Sequence, residues 1–417
     1  MADGSARVSD WNAMTGDSGE TAHAHAEGHD LAHLLKIIPH KPGWFERHAA
    51  GFLKERTKAR PLTDEEVAAH YPAYVLTEEE RAAVNGVVRK TVIRSFLTGA
   101  VSAGLCVATW LLLPRLGVTS FVGRWAGVGV ASVVATVFEM WRIYFDHLNA
   151  VCEMLIVTGT RLAATREEEI GEDVAHALAR ASLDLPDPLR VIEEIDPERE
   201  TSHFVLLASV VLYKGKRSIS NFLAKEVVLH FTPTSIARAL APIVSVPVTG
   251  AWNALVSWRV LREVRLRAVG PSAIAELCDA LLPGEGEAPV SEGCRTSLLR
   301  AVGCAMVRKH AAHPNLLELL RRLAPHVGAC RARELDDTKR FVDGLVALPP
   351  PEQVLVLEIL QLAAVLDGHV RKKLRALVSD ARRACGLAPE TLALDELERR
   401  FLAGERIDMG LIEALAK

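Results

Sequence analysis

Apolar positions recur at helical spacing along most of the chain, and in two neighbouring places the polar positions between them disappear. Ser95 to Pro114, SFLTGAVSAGLCVATWLLLP, is twenty residues without a charge. As a helix rising about 1.5 Å per residue it covers about 30 Å, the thickness of a bilayer's hydrocarbon core. Gly117 to Phe138, GVTSFVGRWAGVGVASVVATVF, follows at once and is interrupted only by Arg124. Its uninterrupted part, Trp125 to Phe138, is fourteen residues, so a second crossing requires Arg124 to snorkel to the interface or the pair to tilt. The pattern predicts a transmembrane helical hairpin within residues 95–165. The competing expectation is a buried hairpin in a soluble core.

Aromatic positions fit the hairpin. Trp110 and Trp125 fall at one interface, and Phe96 falls with Trp141 and Tyr144 at the other, where rings with an apolar body and a polar tip are favoured. Small residues allow the two backbones to approach: Gly99, Ala100, Ala103 and Gly104 in the first segment, Gly127, Gly129, Ala131, Ser132 and Ala135 in the second. Arg81, Arg89, Lys90 and Arg94 precede the first span and Arg142 follows the second, whereas the connection holds only Arg115 and Arg124. Excess basic charge marks the cytosolic side, so both long flanks are expected in the cytosol of a bacterial inner-membrane protein.

The flanks read as helical throughout, giving an all-α expectation: the hairpin, cytosolic helical domains and a C-terminal helical bundle. Residues 1–30 have almost nothing to bury and read as a disordered tail; His23, His25 and His29, with His33 just beyond it, have no preformed metal geometry. Residues 31–94 form an amphipathic region in which Thr63-Asp-Glu-Glu66 and Thr77-Glu-Glu-Glu80 are helix starts. After Phe138 the helix continues, and Trp141, Phe145, Leu148, Cys152 and Leu155 make a short a/d seam that suits core packing or pairing with a second copy, hence a candidate homo-oligomer. Residues 166–282 read as a membrane-proximal helical domain. Within it, the ten-residue run Phe204 to Tyr213 is too short to span. The basic residues after it, Lys214, Lys216 and Arg217, are candidate lipid-headgroup contacts, as are Arg259 and Arg262.

Ala239 to Trp258 is again twenty residues without charge, but it contains Pro242, Pro247, Gly250 and Asn253. A kinked helix is expected there, starting afresh near Pro247, docked on the hairpin or lying at the interface, and ended by Gly270-Pro271-Ser272; a third crossing is the other option. Residues 283–293 have a linker composition and are the main expected domain boundary. From 294 to 417, leucine-rich sets at helical spacing predict a bundle of four to six helices.

Composition narrows the function more by exclusion. The 49 Lys and Arg balance 52 Asp and Glu for a net charge of -3, which disfavours a protein built to coat nucleic acid. The seven cysteines are scattered without paired spacing and read as free thiols in a reducing compartment. Gly215-Lys216-Arg217-Ser218 lacks the upstream glycine of a phosphate loop, Val211 standing in its place. His310, His313 and Cys304 lack an acidic partner at zinc-protease spacing, so capping near Pro314 is the simpler role. No catalytic residue, cofactor or metal is expected.

Val354 to Leu387, containing LEILQLAAVLDGHVRKKLRALVSDARRACGL, resembles the core of tellurite-resistance TerB-like helical domains. The resemblance rests on an apolar helix ending in Ala363, Ala364, Asp367 and Gly368, then a second helix closed by Gly386 and Leu387. It implies a helical fold there. The acidic residue that serves metal in that family has Arg371, Lys372 and Lys373 in its neighbourhood here. The residues themselves suggest that Asp367 caps the next helix and Gly368 takes the turn. Ser245 to Ala273 is similar to basic, Pro- and Trp-containing segments of bacterial membrane proteins that carry a helical hairpin. The sequence therefore leads to a non-enzymatic membrane protein whose partners are the lipid bilayer and a further protein. The alternatives are a membrane-remodelling or pore-forming protein, and an enzyme whose site the sequence does not reveal.

Overall fold

The structure, a computed structural model, describes residues 42–58, 75–158, 168–185, 195, 234–283, 290–310, 312–327, 334–389, 392–407 and 410, with backbone only at 58, 168–173, 234–244, 325, 392 and 393. The chain is all-helical. The described residues form α1 (Trp44–Lys58), α2 (Glu78–Leu112), α3 (Phe121–Val157), α4 (Glu168–Ser182), α5 (Thr234–Leu281), α6 (Glu292–Lys309), α7 (Pro314–Val327), α8 (Thr338–Val346), α9 (Pro350–Val365), α10 (Lys372–Ala384) and α11 (Leu392–Ala403). The His-rich tail, the Thr63 helix start, the Phe204 run and the centre of the expected linker lie outside the described residues.

Thr77 opens α2 with a reciprocal cap: its hydroxyl accepts from the Glu80 amide at 3.2 Å, and the Glu80 carboxylate accepts from the Thr77 amide at 2.8 Å. The helix then runs 35 residues without a break, because nothing between Glu78 and Leu112 removes an amide donor. Pro114 follows its end, Gly117 turns the chain at a φ of 86°, and Ser120 caps α3 by accepting from the Gly123 amide at 3.1 Å. α3 continues past Phe138 to Val157. Its expected seam changes character on the way down. Trp141 and Phe145 are exposed, whereas Cys152 and Leu155 are buried in a core with Leu53, Val84, Leu178 and Leu261.

α5 departs from the sequence expectation. It is one 48-residue helix that neither starts afresh at Pro247 nor stops at Gly270-Pro271-Ser272. Each proline removes one helical hydrogen bond, at about 3 kcal/mol in an isolated helix. Packing offsets this, since α5 lies against α2, α3, α4 and α7. Near Pro271 the Asn315 amide donates to the carbonyls of Leu266 (3.0 Å) and Leu366 (2.8 Å). Gly270 is needed there because a Cβ would overlap that amide. Gly270→Ala is therefore expected to lower stability by about 1–2 kcal/mol, the displacement of Asn315 outweighing the helix propensity gained. Thermal unfolding of the detergent-purified protein reads the loss, and an unchanged or raised midpoint would refute it.

Core membership divides within α5. Val260, Leu261 and Val264 join the core built with α1 to α4, while Leu266, Val269, Ile274 and Leu277 join Leu298, Leu320, Phe341, Leu360, Leu377 and Phe401 in the larger core of α6 to α11. Leu266 and residues 269–282 thus pack with the C-terminal bundle, while Ala268 between them faces the first core. Asp367 and Gly368 make the turn after α9, Gly368 at a φ of 68°, but Asp367 does not cap α10. Arg371 occupies that N-cap, and its side chain makes no capping bond to the helix. Asp367 instead accepts from the His369 amide at 3.1 Å and from the buried Lys309 ammonium at 2.6 Å.

Candidate functional site

The upper parts of α2 and α3 have no role in either core. A helix apolar on all sides is buried, by protein or by lipid. Over their most apolar eighteen residues α2 is 17% buried and α3 only 6% buried, and both helices are long and apolar enough to cross a membrane. Ile93, Leu97, Val101, Leu105 and Leu112 form an open stripe on α2, and Val122, Val130, Val133, Val134, Val137 and Phe138 are open on α3. Among the described residues, nothing else in the chain covers these faces of the hairpin.

Two aromatic groups bound this surface. At the tip, Trp110 and Trp125 meet edge to face with centroids 5.7 Å apart, Phe121 joins Trp125 at 6.0 Å, and the Arg124 guanidinium stands 5.5 Å above the Trp110 ring. At the base, Phe138, Trp141 and Phe145 run along α3 with centroid spacings of 6.2 and 6.1 Å. Sixteen residues separate Trp125 from Trp141, so the two levels lie about 24 Å apart along the helix. Two of the expected interface residues face elsewhere. Phe96 turns into the α2–α5 contact, its carbonyl 2.8 Å from where a Gly250 Cβ would sit. Tyr144 packs half-buried against the α1–α4 core.

Between the belts the helices meet through small and weakly polar residues. Leu113 folds over Gly127, and Cys106 Sγ lies 3.4 Å from Ser132 Oγ. A more polar seam begins at the base. The Asn253 amide donates to Glu139 at 2.6 Å. Ser257 Oγ lies 2.7 Å from Ser95 Oγ and 2.8 Å from His147 Nε2, whose Nδ1 donates to the Ser182 carbonyl at 3.1 Å. Buried Asp146 receives Arg142 at 3.3 Å and Arg94 at 4.0 Å. These bonds gather where the hairpin enters the core built with α1 to α4, although Asp146 Oδ2 is buried there without a hydrogen-bond partner.

Of the candidate headgroup residues, Arg259 is exposed at the base. Arg262 is engaged: it stands 5.8 Å over Trp258 and donates to the Gly368 carbonyl at 2.7 Å, tying α5 to the bundle. Lys214, Lys216 and Arg217 lie outside the described residues.

His313 has a partner that the sequence did not reveal: its Nε2 donates at 2.9 Å to the carboxylate of Glu263, in the middle of α5, while its Nδ1 accepts from the Asn315 backbone amide at 3.2 Å in a capping role. His310 ends α6 in the left-handed conformation. Burial alone would raise the Glu263 carboxyl, but His313 and Arg267 hold it down at about 2. A lowered carboxylate contributes stability above its ordinary range, near 4.5, and loses it as pH falls towards 2. Partial exposure reduces this to about 1–2 kcal/mol. Glu263→Gln is expected to flatten the loss of stability between pH 4.5 and 2, and an identical acid profile for both proteins would contradict that assignment.

Among the described residues no three His, Cys, Asp or Glu side chains gather as a metal site. The described cysteines are all free, and burial pushes Cys278, Cys294 and Cys304 up to about 12, away from reactive thiolates. No family model matches the chain, and no curated protein or solved structure does.

Proposed function

We propose that the chain is a non-enzymatic bacterial inner-membrane protein, anchored by the α2–α3 hairpin and presenting its helical bundle in the cytosol to a protein partner or membrane assembly. The observation that carries this reading is the open apolar surface of α2 and α3 between two aromatic levels, since such a surface in water would be an association site of unusual size. Lipid covers it without any further partner.

Orientation follows from charge. Arg89, Lys90, Arg94, Arg142 and Arg259 gather at the base, beside both cores, while the tip holds Arg115 and Arg124. The bundle's outer surface carries exposed ion pairs such as Arg383–Asp380 at 2.7 Å and Arg399–Glu396 at 2.7 Å, which suit water. Arg262 and the bond from the Leu76 amide to the Gly404 carbonyl at 2.9 Å fix that bundle to the anchor. In inside-out membrane vesicles, trypsin is expected to remove the bundle and leave a hairpin fragment protected until detergent is added. Protection of the bundle in those vesicles would overturn the orientation.

A further inference from the structure

α5 runs antiparallel to α2. Ser257 meets Ser95, the Asn253 and Thr249 groups lie over Gly99, and nearer the base Arg265 lies within electrostatic reach of Arg81. Going back from Asn253 to Thr234, the start of α5, is nineteen residues, or about 28 Å of helix. From Gly99 to Leu112, the end of α2, is thirteen residues, or about 20 Å. The first half of α5 therefore climbs beside the hairpin as far as its tip.

The chemistry of this stretch suits lipid. Ala239 to Trp258 carries no charge. Its polar groups are answered from within: the Thr249 hydroxyl donates to the Ser245 carbonyl at 2.8 Å, and the Asn253 amide donates to Glu139. Gly250 lets α5 approach the α2 backbone at Phe96. On its outer side Trp252, Leu255 and Trp258 are exposed, at the level where Trp141 marks the base of the hairpin. Prolines are tolerated in such a helix because neighbouring helices and hydroxyl side chains satisfy the freed groups.

We propose that the first half of α5 is a third membrane-embedded helix, its Trp252–Leu255–Trp258 face against lipid acyl chains and Thr234 at the far membrane surface. This rests on the hairpin anchor proposed above and adds to it.

The test is labelling of intact spheroplasts with a membrane-impermeant maleimide mass tag, using Thr119→Cys in the hairpin turn and Thr234→Cys at the start of α5, with the parent protein as baseline. The proposal expects one added tag per chain for both variants before permeabilisation. Tagging of Thr119→Cys alone, with Thr234→Cys reacting only after permeabilisation, would overturn the third helix and leave the hairpin standing. Protection of Thr119→Cys in intact spheroplasts would overturn the hairpin as oriented, and the third helix with it.

Discussion

Arginine introduced at both Leu105 and Val134 is expected to move most of the protein out of the membrane fraction. The two side chains are 53% and 64% exposed, near mid-height on α2 and α3, and neither contributes to a core. At the surface of a soluble protein such changes alter stability by no more than about 0.5 kcal/mol each. At the centre of a membrane helix each arginine costs about 2.5–3.5 kcal/mol on insertion, so the pair opposes integration by about 5–7 kcal/mol. Quantifying the protein in sedimented membranes and in the supernatant separates the two environments. Unchanged partition, with unchanged thermal stability, would mean that these faces meet water.

The second large effect lies in the bundle. Lys309 is fully buried at the end of α6; burial pushes its ammonium down, and Asp367 opposes that. Its Nζ donates to Asp367 at 2.6 Å and to the Ala364 carbonyl at 3.0 Å, while Arg371 donates to the Lys309 carbonyl at 2.6 Å. Removing one member of a buried pair strands the other charge, at about 3–5 kcal/mol, whereas replacing both members by apolar groups of similar volume is often nearly neutral. Asp367→Ala is accordingly expected to lower stability by about 3–5 kcal/mol. Lys309→Met is expected to cost about 1 kcal/mol, because Asp367 retains some contact with solvent. Combining them should recover most of the loss from Asp367→Ala, a coupling readable from thermal midpoints in a double-mutant cycle. Additive losses would show that the pair does not act as a unit.

The features legible in the sequence were those written locally. The Thr77-Glu80 box specified the start of α2, the uncharged run from Ser95 specified a continuous helix, and Trp110 with Trp125 anticipated a pair of rings that meet at the tip. The course of α5 was not legible, because proline and glycine signal a break only when nothing else holds the helix. The contacts that hold it come from Ser95, Gly99 and Asn315, far away in sequence. The same distance hid the Glu263–His313 pair, fifty residues apart, and the role of Asp367, whose adjacent turn suggested a cap while its partner lay on α6. Phe96 was placed by its level along α2 and not by the side it faces, which Gly250 decides.

Insertion of the hairpin in the bilayer underlies every other property proposed for the protein. Membranes from expressing cells, washed with high salt, then alkaline carbonate, then detergent, measure this directly. Retention through salt and carbonate with release only by detergent is the predicted result. Recovery in the soluble fraction, or release by salt or carbonate, would contradict it and make the α2–α3 surface an interface with another protein or with a second copy.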